Sequence, residues 1–504
     1  MLRAIIGFFA GLFRRRSDRR NSENYLREIG QQNDSNKNVI EYRAVPIEAF
    51  LPDDPAENAV ISGTNDDLRA RAVCAAAWRC HEAGRPAVIL HCGSARLAAA
   101  LRETFRGAEN FTCIDSAHRA YDPFVGRDRA QIVRFAIAAS DDEHKIGQSG
   151  GMYLYGLCDY LMNTERIPCV AAFSDCFESR AFENLADGNL SAFVAQRINT
   201  ELKQGFSQAG EVEYFFQSLR SQAGGILSPE GDIREAVSIR SAVRNNGVVA
   251  LDIGNAANSL LLNAVMQELR DVAAEGARFT LLLESVPVDA AKSLGAFLRT
   301  FAGGCSFFCS SANFYADTQS EENVFSTLLG KSGTVIVLRH APGQACAKFS
   351  DYFGTYSKAE VSRTLVQGDS YNTYTQILPG SSSSNIIGVQ YTDRPRVENH
   401  DIATQAADHA FIQKSGTIYS ARLTCGDART RPELPRGGTL RPASPNAPRA
   451  RRRFNVLIFI LLLFLPPFAF VYSLAVCGRR GKIISAVLLV LTVIALVVLA
   501  LTMP

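Results

Sequence analysis

Residues 57–93 read ENAVISGTNDDLRARAVCAAAWRCHEAGRPAVILHCG, and this stretch decides the fold of the chain. A short apolar run that ends at Gly63 predicts a strand. A polar stretch follows, and the pattern then predicts a helix from about Ala72 to Ala83. The turn at 84–86 leads to a second predicted strand at 87–90. Strand, loop, helix and strand in this order form a βαβ unit, which implies a parallel sheet.

A unit of this kind is the frame in which a phosphate-binding loop lies between the first strand and the helix. Such a loop needs glycines, so that backbone N–H groups can approach phosphate, and then a lysine and a hydroxyl residue. If Gly63 is the first glycine, the second falls on Leu68, the lysine on Arg69 and the hydroxyl on Ala70. The vestigial nucleotide-binding candidates are therefore Gly63, Thr64, Asn65, Asp66, Asp67, Leu68, Arg69 and Ala70.

Each charged residue of this loop allows two interpretations. Asp66 and Asp67 place negative charge where a triphosphate would lie, and they also suit the start of a helix. Arg69 is either a replacement for the lysine as a phosphate contact or a solvated arginine at the start of the helix, and we favour the solvated arginine. The frame for nucleotide binding is present, but most of its chemistry is missing.

The composition is that of a large protein with nearly balanced charge. At 504 residues the chain is long enough for two or three domains, and its net charge of +3 argues against a strongly polyanionic partner for the chain as a whole. The 12 cysteines include no Cys-x-x-Cys pair, and the seven histidines show no ligand spacing. We therefore expect reduced thiols and no metal site.

Both ends of the chain carry apolar segments beside arginine clusters. Residues 5–13 are too few to cross a bilayer and precede Arg14-Arg15-Arg16, so we predict an interfacial anchor, with a docking helix as the alternative. Residues 454–476 and 483–503 are long enough to span a membrane and predict a transmembrane hairpin. Two prolines at 466–467 interrupt the first run, so a re-entrant segment is the alternative to a span.

Between these ends, predicted strands alternate with helices, which indicates an α/β fold with a mostly parallel sheet. The alternation is interrupted where apolar residues recur at spacings of three and four, which predicts an all-α insertion. We divide the chain into an N-terminal amphipathic and flexible segment at 1–46, a first α/β part at 47–176, the all-α insertion at 177–240, a second α/β part with a C-terminal hairpin at 241–425, a Pro/Arg-rich linker at 426–453 and the transmembrane hairpin at 454–503.

The order of these features resembles the conjugative (type IV secretion) coupling proteins of the TraG kind, which are RecA-like P-loop ATPases of the FtsK–HerA group. Residues 121–124, Tyr-Asp-Pro-Phe, are similar to an Asp/Asn-Pro element of that family. The insertion stands where the family has an all-α domain, and residues 279–285 resemble its Walker B strand. The resemblance covers about residues 59–423. It implies a RecA-like P-loop NTPase domain with an ATP and Mg²⁺ site.

The chain departs from that family where the chemistry is carried out. Glu284-Ser285 stands in place of the Asp-Glu pair of Walker B, and a serine does not act as a general base. Ser310 and Ser311 stand where the resemblance places a sensor glutamine, and Arg299 where it places an arginine. Glu284 is either a metal ligand or a polar residue at a strand end, and Arg299 is either a trans-acting finger or part of a structural ion pair. The vestigial catalytic candidates are Glu284, Ser285, Arg299 and Ser311.

Because several catalytic positions are altered together, we predict a pseudo-ATPase that needs no cofactor. The leading prediction is a structural or recruiting component of a bacterial DNA-transfer or secretion system, beside an active paralogue. One alternative is an active motor that uses ATP and Mg²⁺ through a non-standard phosphate loop. Another is a membrane scaffold that keeps only the fold.

The predicted location is the bacterial inner membrane, with several spans and the bulk of the chain in the cytoplasm. The expected partners are the membrane and the conjugation or secretion machinery. DNA is an alternative partner for the arginine-rich linker, whose arginines are otherwise expected to face lipid. The sequence leaves both homo-oligomers and hetero-oligomers open.

Overall fold

The computed structural model describes residues 23–183, 185, 190–254, 260–286, 292–300, 305–318, 324–370, 380–435 and 437–441. The helices are α1 (23–37), α2 (Asp66–Glu82), α3 (Ala95–Thr104), α4 (Arg129–Ala139), α5 (Gln148–Asn163), α6 (Val170–Ser179), α7 (Ala192–Gly205), α8 (Ala209–Ala223), α9 (Ile239–Arg244), α10 (Leu260–Ala274), α11 (Lys292–Thr300), α12 (Val324–Lys331), α13 (Gln344–Phe353) and α14 (Asn399–Thr404). The strands are β1 (Val39–Pro46), β2 (Ala59–Ser62), β3 (Ala87–His91), β4 (Phe111–Ile114), β5 (Val248–Asp252), β6 (Thr280–Glu284), β7 (Ser306–Ser311), β8 (Thr334–Val337), β9 (Thr355–Ser370), β10 (Gly380–Pro395), β11 (His409–Lys414), β12 (Thr417–Thr424) and β13 (Thr439–Leu440).

One large sheet forms the frame of the described fold. Its strands lie in the order β13-β1-β12-β11-β8-β2-β7-β6-β3-β5-β4. The strands from β8 to β4 in that order are all parallel to their neighbours, while β11 joins them antiparallel. Strand β7 separates the candidate phosphate-loop strand β2 from the candidate Walker B strand β6. This confirms the predicted α/β fold with a mostly parallel sheet.

Alternate residues of the central strands feed two separate cores. On β3, Val88 and Leu90 belong to the core shared with the helical insertion, whereas Ala87 and Ile89 belong to the core under α2 and α3. This division follows from the period of two along a strand, and it explains why buried parallel strands are apolar throughout. The same parity decides which polar residues meet at the strand ends.

The chain between β4 and β5 is helical and contains the predicted insertion. Its helices run from Arg129 to Arg244, so helical structure begins well before residue 177. Asp122, from the Asp-Pro element, is fully buried, and its two carboxylate oxygens accept from the N–H groups of Phe124 at 2.9 Å and Val170 at 2.8 Å. This aspartate therefore attaches the start of α6 to the edge of the parallel sheet.

The predicted flexible segment at 1–46 needs correction over its described part. Residues 23–37 form a helix, and β1 pairs in parallel with β12 through partners such as Val39 and Ile418. The partner strand lies almost 400 residues further along the chain, so no local pattern indicates this pairing. The order of residues 23–46 comes from tertiary pairing.

Strands β9 and β10 form a two-stranded sheet of their own, which the sequence pattern did not predict. Each strand has 16 residues, and the pairing runs from Thr355–Pro395 at the base to Ser370–Gly380. We call this hairpin the arm. At its base, Tyr356 and Ala359 are buried.

The segment predicted as a linker at 426–453 is ordered over its described part. Arg429 donates from Nε to the carbonyl of Thr104 at 2.8 Å, and its guanidinium lies 5.0 Å from the centre of the Trp78 ring. The chain then adds β13 to the edge of the sheet, antiparallel to β1. Arginines in this segment therefore bind the protein surface, so the described residues 426–435 and 437–441 are part of the fold.

The predicted apolar segments 5–13, 454–476 and 483–503 lie outside the described residues. Within the part of the chain that the structure describes, no helix combines the length and apolar character that a membrane span requires.

Glu268 is a fully buried carboxyl group between α10 and the helical insertion. It accepts from the Tyr121 hydroxyl at 2.8 Å and from the N–H of Arg240 at 3.3 Å. Burial raises the pKa of Glu268 to about 7, although the nearby Arg127 and these hydrogen bonds act in the opposite direction. The carboxyl group is therefore protonated in the fold over a pH range in which the unfolded chain has lost that proton.

This shift predicts that Glu268 makes the fold less stable as pH rises. Because the folded pKa of about 7 lies above the ordinary 4.5, the stabilising contribution is complete below about pH 4.5 and is lost as pH rises through 7. The advantage of Glu268→Gln over wild type in unfolding free energy should grow by about 2 kcal/mol between pH 5 and pH 8. Denaturant unfolding at both pH values measures it, with the exposed Glu109→Gln as control. Parallel profiles for wild type and Glu268→Gln would contradict the shift.

Candidate functional site

The connection between β2 and α2 is much shorter than the sequence predicted. Helix α2 begins at Asp66 rather than near Ala72, because the side chain of Asn65 accepts from the N–H of Leu68 at 3.1 Å and caps the helix. Only Gly63, Thr64 and Asn65 separate the strand from the helix. A loop of three residues leaves little backbone with which to surround a phosphate group.

The N–H groups of this loop are already bound to the sheet. Gly63 donates to the carbonyl of Ser311 at 3.0 Å, and Thr64 donates to the carbonyl of Arg339 at 3.1 Å. Gly63 has a φ of +136°, and a Cβ at this position would lie 2.5 Å from the Cβ of Leu338. This glycine is required for close packing against the end of β8, a role different from that of a phosphate-loop glycine.

Arg69 is buried, which corrects the expectation that it is a solvated arginine. Only 3% of its surface is exposed. Its Nη1 donates to the carbonyl of Gly63 at 2.5 Å, and its Nη2 donates to Oε1 of Glu284 at 3.1 Å. Nη2 also lies 3.0 Å from a carboxylate oxygen of Asp66. The guanidinium thus fills the space between the loop and the end of β6.

The other candidate residues, at 66–68 and 70, belong to α2 and lie on a buried face and an exposed face of this helix. Leu68 and Ala70 are buried in the core under this helix. Asp66 and Asp67 have mostly exposed side chains, and Asp67 pairs with Arg96 at 2.9 Å. Both aspartates lie in the first helical turn, where negative charge is stabilising.

Glu284 ends β6 and is the anionic partner of Arg69. Its carboxyl group is 4% exposed, and burial raises its pKa while Arg69 lowers it. Its second oxygen, Oε2, is buried and has no hydrogen-bond partner among the described residues. Ser285 follows in a left-handed conformation with a φ of +56°, and its hydroxyl donates to Glu284 Oε1 at 3.1 Å. The structure therefore brings together Arg69, Glu284 and Ser285.

The other two catalytic candidates are Ser311 and Arg299. Ser311, at the end of β7, is buried and donates from its hydroxyl to Asp317. Arg299 belongs to α11, and its side chain lies outside the described part of the structure.

Four polar residues form a row at the carboxyl ends of neighbouring strands. The pairing sets Asp252 on β5 beside His91 on β3, His91 beside Glu284 on β6, and Glu284 beside Ser310 on β7. All four lie on the sheet face under α2 and α3. On its own strand, each stands two positions after a residue that is buried in the core on that face. His91 and Asp252 were not among the predicted site residues, although a polar residue at the end of an apolar strand was a signal for both.

His91 is the most isolated member of this row. It is fully buried, its Nδ1 lies 3.8 Å from Asp252, and neither ring nitrogen has a hydrogen-bond partner among the described residues. Burial lowers the pKa of His91, although the nearby Asp252 acts in the opposite direction. Among the described residues, the cation in direct contact with Glu284 is Arg69, which comes from α2.

The groups that a phosphate-binding loop would offer are engaged within the chain. The N–H groups of Gly63 and Thr64 are used by the sheet, and the guanidinium of Arg69 occupies the space beside Glu284. Among the described residues, no group of three or more His, Cys, Asp or Glu side chains is arranged to hold a metal ion.

Comparison with known proteins gives matches among solved structures. No protein-family model matches the chain, and no curated protein does. The bacterial conjugative coupling protein TrwB in an unbound form matches with 15% identity, over 75% of this chain and 87% of that chain, at a TM-score of 0.41.

Two further matches show a similar extent. TrwB in complex with a non-hydrolysable GTP analogue has 13% identity, over 76% of this chain and 89% of that chain, at a TM-score of 0.42. VirB4 of Thermoanaerobacter pseudethanolicus has 11% identity, over 77% of this chain and 96% of that chain, at a TM-score of 0.39. The chain is thus similar, at low identity, to proteins of the group that its sequence resembles.

The buried pair predicts strong energetic coupling between Arg69 and Glu284. Arg69→Met should destabilise the fold by about 3–5 kcal/mol, because it leaves a buried carboxylate without its cation. Adding Glu284→Gln should recover about half of this loss or more, since no charge then remains unpaired. A double-mutant cycle by denaturant unfolding measures the coupling.

The exposed pair of Asp67 and Arg96 provides the control. Arg96→Met should cost less than about 1 kcal/mol, as is usual for surface ion pairs. Equal, additive losses in the two cycles would show that Arg69 and Glu284 do not depend on each other.

Proposed function

We propose that this chain is a catalytically inactive relative of the coupling-protein ATPases. In this proposal it serves as a structural or recruiting component of a bacterial DNA-transfer or secretion system. It does not act through nucleotide turnover, because its own side chain occupies the candidate site. The observation that carries the proposal is the buried guanidinium of Arg69, hydrogen-bonded to both Gly63 and Glu284.

Electrostatics supports a site that is closed to nucleotide. Glu284 and Arg69 neutralise each other in a buried position, and separating them would leave two desolvated charges. A phosphate group would have to displace Glu284 from Arg69 and would also meet the negative charge of Asp66. The loop could offer few compensating N–H groups in return.

The sequence features outside the described residues supply the rest of the proposal. Two apolar runs at 454–476 and 483–503 follow the arginines at 449–453, a pattern typical of an anchor in an anionic membrane. We propose an inner-membrane location with the folded part in the cytoplasm. The partners would be conjugation or secretion machinery, with an active paralogue supplying ATP hydrolysis.

Calorimetric titration of the purified full chain with Mg-ATP tests the proposal. No heat of binding is expected up to millimolar nucleotide, and no phosphate release above that of a buffer control. The same titrations on Glu284→Gln should give the same null result, because Glu284 holds Arg69 and no metal.

Steady hydrolysis that disappears in Glu284→Gln would overturn the proposal and favour the active motor. The unpartnered Oε2 of Glu284 is the feature that such a motor would use to hold Mg²⁺. Binding without turnover would contradict the closed site and indicate a nucleotide-regulated scaffold.

A further inference from the structure

The arm formed by β9 and β10 has two outer edges, and the fold treats them differently. A two-stranded hairpin has little stability of its own in water and normally gains it from a third strand or a packed helix. An outer edge also presents unpaired N–H and C=O groups to other chains. The partner of each edge therefore indicates how the arm is used.

Helix α1 blocks the outer edge of β9 with asparagine side chains. The side-chain amide of Asn33 donates to the carbonyl of Ala359 at 3.0 Å, and its oxygen accepts from the N–H of Ala359 at 2.8 Å. Asn36 donates to the carbonyl of Ser357 at 3.2 Å. Asn33 thus satisfies both backbone groups of one residue, as a neighbouring strand would.

These bonds also fix which groups of β10 point outward. Because the backbone groups of Ala359 point away from β10, its pair with Tyr391 is a non-hydrogen-bonded one. By the alternation of antiparallel pairs, the N–H and C=O groups of Val389, Tyr391 and Asp393 also point outward. No strand pairs with this edge among the described residues. The Tyr391 side chain on it is 61% exposed.

Charged residues are concentrated on β9, the strand whose outer edge is already blocked. The blocked strand β9 carries Lys358, Glu360, Arg363 and Asp369. The open strand β10 has no charged residue from Gly380 to Thr392. Soluble proteins usually place charges or proline on an edge that must stay free of other chains. The open edge lacks this protection except at its base, near Asp393.

We propose that β10 pairs antiparallel with β10 of a second copy of this chain, about a two-fold axis at Tyr391. This register places Asp393 of each copy opposite Val389 of the other, and Arg394 opposite Gly388. No like charges face each other, so the edge is self-complementary, as a two-fold interface requires. The two arms then form a four-stranded sheet, with α1 of each copy on its outer edges.

Disulfide trapping tests the pairing in the full chain expressed in bacterial cells. In the proposed register the Cα atoms of the two Tyr391 residues lie about 5.5 Å apart, within disulfide range. Mild oxidation of Tyr391→Cys should give a covalent dimer of this chain, at about tenfold the yield of Ser357→Cys, since Ser357 lies on the blocked edge. Wild type sets the background from the native cysteines.

A second variant separates strand pairing from chance collision. Val389→Pro removes an outward N–H and no bond between β9 and β10, so the hairpin should persist. Combined with Tyr391→Cys, it should return the crosslink to the wild-type background while the midpoint of thermal unfolding stays unchanged. The proposal is overturned if Tyr391→Cys crosslinks no more than Ser357→Cys. It is also overturned if the crosslink survives Val389→Pro or joins the chain to a different protein.

Discussion

The ion pair between Arg69 and Glu284 connects the start of α2 to the end of β6. A nucleotide bound between these two elements would have to break it. Arg69 comes from the first turn of α2, Glu284 from the end of β6, and the carbonyl of Gly63 from the loop after β2. Both side chains are buried, so the pair is screened little by water, and its loss would strand a charge in the interior. The short loop and the early start of α2 are consistent with this one contact.

The ion pair lies at the edge of the sheet where the carboxyl ends of the parallel strands meet. Parallel strands bring their carboxyl ends to a single edge, where open α/β sheets usually bind ligands. Here that edge holds Asp252, His91, Glu284 and Ser310 in one row. Arg69 is the cationic partner in contact with Glu284, so this edge binds the chain's own side chain.

Much of the fold could be predicted because it depends on local patterns. Apolar strands alternating with helices indicated the parallel sheet, and the strand predicted within residues 279–285 is present as β6. The start of α2 was wrong although Asn65 followed by two aspartates is a helix-start signal, because the loop was compared with a phosphate-binding pattern that needs more residues. The serine-rich stretch that becomes β10 shows no alternation of apolar and polar residues, so this strand was not predicted.

The burial of Arg69 was not predictable in the same way. Its partner Glu284 is 215 residues away, and nothing in the local sequence distinguishes a buried arginine from one in solvent. The same holds for β1, whose partner strand β12 lies near the other end of the described fold. Long-range pairs of this kind decide which side chains meet at the candidate site, and no local pattern in the sequence indicates them.

An experimental structure of the full chain at saturating Mg-ATP would test the closed site most directly. We expect the guanidinium of Arg69 to remain on Glu284 and the carbonyl of Gly63, with no nucleotide density against residues 63–70. Phosphate density in contact with that loop, together with an Arg69 side chain displaced from Glu284, would contradict the account.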